Sequence, residues 1–184
     1  MSPSWKASHG HLPVTIDPIQ LAERGARLTG TLPLKSMARL AQHCLDGAGD
    51  VFVDLAFERG VGEKVFLMHG TLRVQLRTTC QRCLEGMDIN LEASPSLVLL
   101  RSEAAQDLSG DDPDTLVADK PVSLIALVED ELLLVLPMVP MHELSQCPAK
   151  KYVAEKAGTD IRDVVKGERK NPFAVLKDRK RRES

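Results

Sequence analysis

Cys80 and Cys83 form a Cys-x-x-Cys pair inside the stretch LRVQLRTTCQRCLEGMDINL, residues Leu72 to Leu91. Such a pair can do redox chemistry or hold a metal, and its surroundings decide which. A dithiol catalyst needs the first cysteine at a helix N-terminus, where the helix dipole lowers the thiol pKa. Here the pair lies between two alternating, strand-like segments, which argues against redox catalysis. A structural zinc ion needs four ligands, commonly thiolate and imidazole. Cys147 and His142 complete a Cys3His set with Cys80 and Cys83 if the loop that carries them returns to the pair. The 64-residue step from Cys83 to Cys147 is unlike a zinc finger. The plainer reading is that these thiols pack in the core without a ligand, the commoner condition of buried cysteine. Both readings stand at the level of sequence. Cys44 falls on the apolar side of a helical pattern and is expected to be a small core residue.

No other arrangement suggests a reaction. The chain has no nucleophile elbow, no H-E-x-x-H, no phosphate-cradling glycine loop and no dinucleotide fingerprint. The expectation is a protein that is not an enzyme and takes no small-molecule substrate. Aromatic residues make up 3% of the chain, too few for a base-stacking platform of the kind that single-strand binders use. The start, MSPSWKASHGHLP, has no apolar signal core, and no run of 18 uncharged apolar residues occurs. With only four irregularly spaced cysteines, the expected setting is soluble, reducing and cytoplasmic, with no membrane partner.

The elements that position the cysteines follow from periodicity. Leu72, Val74 and Leu76 share a strand face with Cys80, while Arg73, Gln75 and Arg77 face the other way. After the turn, Met87, Ile89 and Leu91 point inward, and Asp88, Asn90 and Glu92 outward. Strands are predicted over Arg27 to Leu34, Gly49 to Arg59, Val65 to Thr79 and Gly86 to Arg101, with a bulge or edge forced at Ser94-Pro95 and a short extra strand at Thr115 to Ala118. Arg73 and Arg77 are expected to pair across the ladder with Asp54, Glu58, Asp88 or Glu92. Helices are predicted over Pro18 to Arg24, capped by Asp17, and over Ser36 to Asp46, capped by Ser36. The main helix, Ser123 to Leu136, buries Leu124, Ile125, Val128, Leu132, Val135 and Leu136. Glu129 or Glu131 then falls at the rim of the core, where Arg77 or Arg82 could serve as partner. The predicted fold is α+β, an antiparallel sheet of about five strands packed against one hydrophobic helix.

Charge divides the chain. Residues 150–184 hold 12 Lys+Arg against 6 Asp+Glu, a net of +6, so the total of −2 leaves −8 for residues 1–149. The expected organisation is a single acidic domain, 1–149, followed by a basic, partly disordered tail, 150–184, with a short helix at about 171–181. Asn171 caps that helix and Pro172 opens it, Phe173, Val175 and Leu176 offer an apolar anchor, and Arg179, Lys180, Arg181 and Arg182 close it. Lys170, Asn171, Pro172, Phe173, Leu176, Arg179, Lys180, Arg181 and Arg182 are the binding residues this predicts, facing a phosphate backbone or an acidic protein.

Several separated motifs, in this order, resemble one family. They are the opening LPVTIDPIQLA (Leu12 to Ala22), CQRCL (Cys80 to Leu84), LVEDELLLVLPMVPMH (Leu127 to His142) with Cys147 beyond it, and KNPFAVL (Lys170 to Leu176). The chain is similar to the YceD family, the large ribosomal RNA subunit accumulation proteins. The resemblance implies a part in synthesis, processing or stability of 23S rRNA, with a large-subunit rRNA precursor, a ribosomal protein or a processing factor as partner. It implies no catalytic activity. The rival expectation is a zinc- or thiol-dependent adaptor that binds another protein and does not act on RNA.

Overall fold

The structure is a computed structural model, and it describes residues 12–60, 65–102 and 114–150. The basic tail and its predicted binding residues, Lys170 to Arg182, lie outside the described residues, as does most of the acidic linker.

Chain order runs β1 (Thr15–Ile16), α1 (Pro18–Glu23), β2 (Arg27–Pro33), a 3-10 turn (Leu34–Ser36), α2 (Ala38–Ala41), β3 (Asp50–Arg59), β4 (Phe66–Thr79), β5 (Gly86–Ala93), β6 (Ser96–Leu100), β7 (Thr115–Val117), β8 (Val122–Ser123) and α3 (Leu124–Val135). Six strands form one sheet, in the order β2-β3-β4-β6-β7, with β5 also on β4. β1 and β8 form a separate two-stranded ribbon. The α+β class and the one main helix match the expectation from sequence. The sheet differs in one respect: β6 and β7 run parallel, so it is mixed.

β4 is the long central strand. Its first residues, Phe66 to His69, pair with β6, and Leu72 to Thr79 pair with β5, both antiparallel. The single strand predicted over 86–101 is therefore two strands, broken where Pro95 cannot donate to a ladder. The Pro95 carbonyl instead accepts from the Gly70 N–H at 3.1 Å. Gly70 sits opposite Leu55, and a Cβ there would run into the backbone of Asp54 and Leu55, so the residue must lack a side chain.

Alternation fills the core as expected. Val51, Val53, Leu55 and Phe57 of β3 are buried together with Phe66, Met68, Leu72, Val74 and Leu76 of β4. The opposite face carries the expected cross-strand pair of Arg73 with Glu92 at 2.8 Å, whereas Asp54 is held by Arg27, which grips it through two hydrogen bonds. Arg77 stands opposite Asp88 in the β4–β5 register.

The Asp17 cap of α1 forms as the sequence predicts, and α3 is capped by Ser123, the residue at which its helix is expected to begin. Asp17 accepts from the Gln20 N–H at 3.0 Å, and Ser123 from the Ala126 N–H at 3.3 Å. α3 buries Leu124, Leu127, Val128, Glu129 and Leu132 against the core, whereas Val135 turns out to be exposed because the helix ends at that residue.

The helix predicted over 36–46 is corrected more heavily. It shrinks to a 3-10 turn and the four residues of α2, and Ser36 spends its hydroxyl on the Pro33 carbonyl, 2.6 Å away. The carboxylate of Glu129 takes over the cap. Its Oε1 accepts from the backbone N–H groups of Arg39 and Leu40 at 2.7 and 3.0 Å, and its Oε2 from the Arg39 guanidinium at 2.9 and 3.1 Å. Arg39 also reaches Asp130 at 2.6 Å. The rim glutamate thus has its partner in Arg39, not in Arg77 or Arg82. Burial works to raise the Glu129 pKa, but the bonds from Leu40 and Arg39 together outweigh it and hold the carboxyl below its ordinary value.

Residues 142–150 are the described part of a second compact unit, 142–184. Within them, the N–H groups of Gln146 and Cys147 both point at the Glu143 carbonyl at 3.0 Å, and the Lys150 N–H donates to the Cys147 carbonyl at 2.9 Å. These turns hold Cys147 with only 3% of its surface exposed.

Candidate metal centre

The end of β4 aims its chemistry inward. Leu72, Val74, Leu76, Thr78 and Cys80 occupy the buried side of the strand, and Cys80 is fully buried. Thr78 is anchored by its hydroxyl to the His43 carbonyl at 2.8 Å. Beyond Cys80 the chain reverses in a tight turn. The Leu84 N–H donates to the Cys80 carbonyl and the Cys80 N–H to the Glu85 carbonyl, each at 2.9 Å. Closing this turn puts Leu84 at φ +63°, a left-handed conformation that costs a residue with a Cβ about 1–2 kcal/mol. The chain is then aligned for Gly86 to pair with Thr79 and open β5. On the other side of the turn, the Gln81 N–H donates to the Pro140 carbonyl at 2.8 Å, fastening it to the segment that follows α3.

Cys80, Cys83, His142 and Cys147 come together as a candidate metal-binding cluster: one ligand atom from each lies within 4.8 Å of all the others. Cys80 and Cys147 are buried, while Cys83 and His142 are half-buried. The donor set suits zinc. Zinc takes thiolate and imidazole ligands, four in a tetrahedron, and these residues offer three sulfurs and one imidazole. Four protein ligands leave no open position for water or substrate, the mark of a structural site. Cys44 lies apart from this cluster, as the sequence reading expected, with its Sγ against the Leu40 carbonyl at 3.4 Å and its thiol pKa raised by burial and by Asp46.

Two residues have parts in the fold that the sequence reading does not give them: Arg39, which it leaves unassigned, and Arg82, which it offers only as a partner for the rim glutamate. Arg39 carries no local signal, because its partner Glu129 is 90 residues away. Arg82 carries one, its place between the two cysteines, and its environment is taken up below.

Fold and cluster together define an α+β protein with a candidate Cys3His centre at a hairpin turn. The family model described as Large ribosomal RNA subunit accumulation protein YceD matches residues 68–180, a span that holds all four ligands. A relative of that name in Haemophilus influenzae is 31% identical over 173 residues, which cover 93% of this chain and 97% of the relative. The chain belongs to the YceD family. No solved structure matches it.

Proposed function

We propose that the protein is a non-enzymatic, cytoplasmic factor in the synthesis, processing or stability of 23S rRNA, and so in assembly of the large ribosomal subunit. The observation that carries this reading is the likeness over 93% of the chain to a relative named as a large ribosomal RNA subunit accumulation protein. The charge distribution supports it. Residues 1–149 form the acidic body, and the basic arm, 150–184, makes the contacts with polyanion or acidic protein through Lys170, Asn171, Pro172, Phe173, Leu176, Arg179, Lys180, Arg181 and Arg182. Contacts of this kind are salt-sensitive and weakly selective for sequence. Cys80, Cys83, His142 and Cys147 would hold zinc, which when bound supplies a cross-link and no chemistry on a substrate. Among the described residues no helix is long and apolar enough to cross a membrane.

Sedimentation of cell extract tests the proposal. The full chain should travel with large-subunit precursors at low salt, and a chain lacking residues 170–184 should not. A full chain that stays at the top of the gradient at low salt overturns the proposal in favour of a protein-binding adaptor. A truncated chain that still co-sediments overturns the role of the arm.

A further inference from the structure

Arg82 occupies the middle of the Cys-x-x-Cys turn, and its guanidinium is not placed as a surface arginine is. Among the described residues, its Nη1 is the buried side-chain polar atom that has no hydrogen-bond partner. Its Nη2 faces the Met141 sulfur at 3.5 Å, a weak acceptor, and Met141 directly precedes His142. Other arginines of the fold behave differently: Arg27, Arg39, Arg73 and Arg101 each meet a carboxylate within 3 Å. A buried donor left unsatisfied costs about 1–3 kcal/mol, and more when it is charged. Arg82 is half-buried, and an anion within reach of its Nη1 would satisfy that donor.

The turn can supply that anion itself. Ligation requires Cys80, Cys83 and Cys147 as thiolates, and three thiolates around a divalent ion leave the centre with a net charge of about −1. That charge would be poorly hydrated, because Cys80 and Cys147 are both buried. Arg82 lies in sequence between two of the ligands, and its guanidinium touches the residue next to a third. We propose that Arg82 is a positioning residue of the centre, the fixed counter-charge that stabilises the zinc-loaded thiolate state over the empty one. This rests on the zinc reading given above. It goes beyond that reading by assigning a role to a residue that binds no metal, and by predicting opposite effects on the loaded and the empty protein.

The test compares full-length wild type, Arg82→Gln and Arg82→Lys, purified without chelator. Zinc content comes from elemental analysis and zinc affinity from competition with a chromogenic chelator. Cobalt substitution then reports thiolate coordination through its sulfur-to-metal absorption. Wild type should hold one equivalent. Arg82→Gln should bind zinc on the order of tenfold more weakly, the loss typical when a supporting group around a metal site is removed. Arg82→Lys keeps the charge and should recover most of that loss. Thermal melting of the metal-free proteins separates this role from simple packing: without metal, Arg82→Gln should melt no lower than wild type, since among the described residues the buried Nη1 that it removes has no hydrogen-bond partner. Unchanged zinc affinity in Arg82→Gln overturns the inference and leaves the zinc site standing. Arg82→Lys as weak as Arg82→Gln, or a metal-free Arg82→Gln that melts well below wild type, also overturns it. Wild type with less than half an equivalent of zinc sinks the zinc reading, and this inference with it.

Discussion

Glu129 is the residue whose removal should be felt most widely, because its carboxylate holds α2 to α3. With 8% of its side-chain surface exposed, it accepts two backbone N–H groups and the Nε and Nη2 donors of the Arg39 guanidinium. Replacing it with alanine strands the N–H groups of Arg39 and Leu40 at the start of a four-residue helix that has no side-chain cap of its own. Two unsatisfied donors at about 1–3 kcal/mol each, with little added for an arginine already half in water, give a loss of about 4 kcal/mol. For a chain of this size that is a fall in Tm of roughly 8–16 °C. Glutamine keeps an oxygen for the two N–H groups but sets an amide against the guanidinium, so Glu129→Gln should lose about 2 kcal/mol.

The dependence on pH has a definite sign. A carboxyl held below its ordinary value of 4.5 in the folded state stabilises the fold above that value, and the contribution disappears as pH falls through the lowered one. Equilibrium urea unfolding at pH 7 and again near pH 3 is the assay. The gap between wild type and Glu129→Gln should be full at pH 7 and should narrow steadily below about pH 4.5. A loss under about 1 kcal/mol for Glu129→Ala, or a gap to glutamine that does not narrow in acid, would refute the reasoning.

Two further substitutions read the backbone. Gly70→Ala forces a methyl into the Asp54 carbonyl and the Leu55 Cα, which belong to the rigid neighbouring strand, and should cost about 2–3 kcal/mol in urea unfolding. A cost near zero would mean that β3 and β4 can separate there without loss. Leu84→Gly relieves a left-handed leucine that is 74% exposed and so gives up little burial; it should raise stability by about 1 kcal/mol, read as a Tm increase of roughly 2–4 °C, and a decrease would show that the leucine packs usefully in the folded protein.

Much of this fold is written locally, and those parts are legible in the sequence. The strict alternation of 51–57 and 72–80 sets which face is buried, the Asp17-Pro18 cap starts α1, and Arg73 finds Glu92 because the register of a hairpin follows from its turn. The four metal-type ligands could be named from residue type, although nothing in the spacing alone could bring 142 and 147 to 80 and 83. What was not legible depends on partners distant in sequence. The helix expected over 36–46 is cut short, and the group that caps its remnant comes from a glutamate in α3. The parallel pairing of β6 with β7 is a matter of strand order in the sheet, which periodicity does not encode. Arg82 offers itself in the sequence as a partner for the rim glutamate, and the burial of its Nη1 depends on a fold that the sequence does not spell out.

The division of labour along β4 has one more consequence. Because β5 and β6 share the same edge of that strand end to end, with a proline at the joint, the ladder has a built-in break. Leu72 to Thr79 serve β5 and Phe66 to His69 serve β6, and the Gly70 N–H on the Pro95 carbonyl is the bond that spans the joint. The sheet is therefore wired as two circuits on a common rail, and one of them ends in thiols.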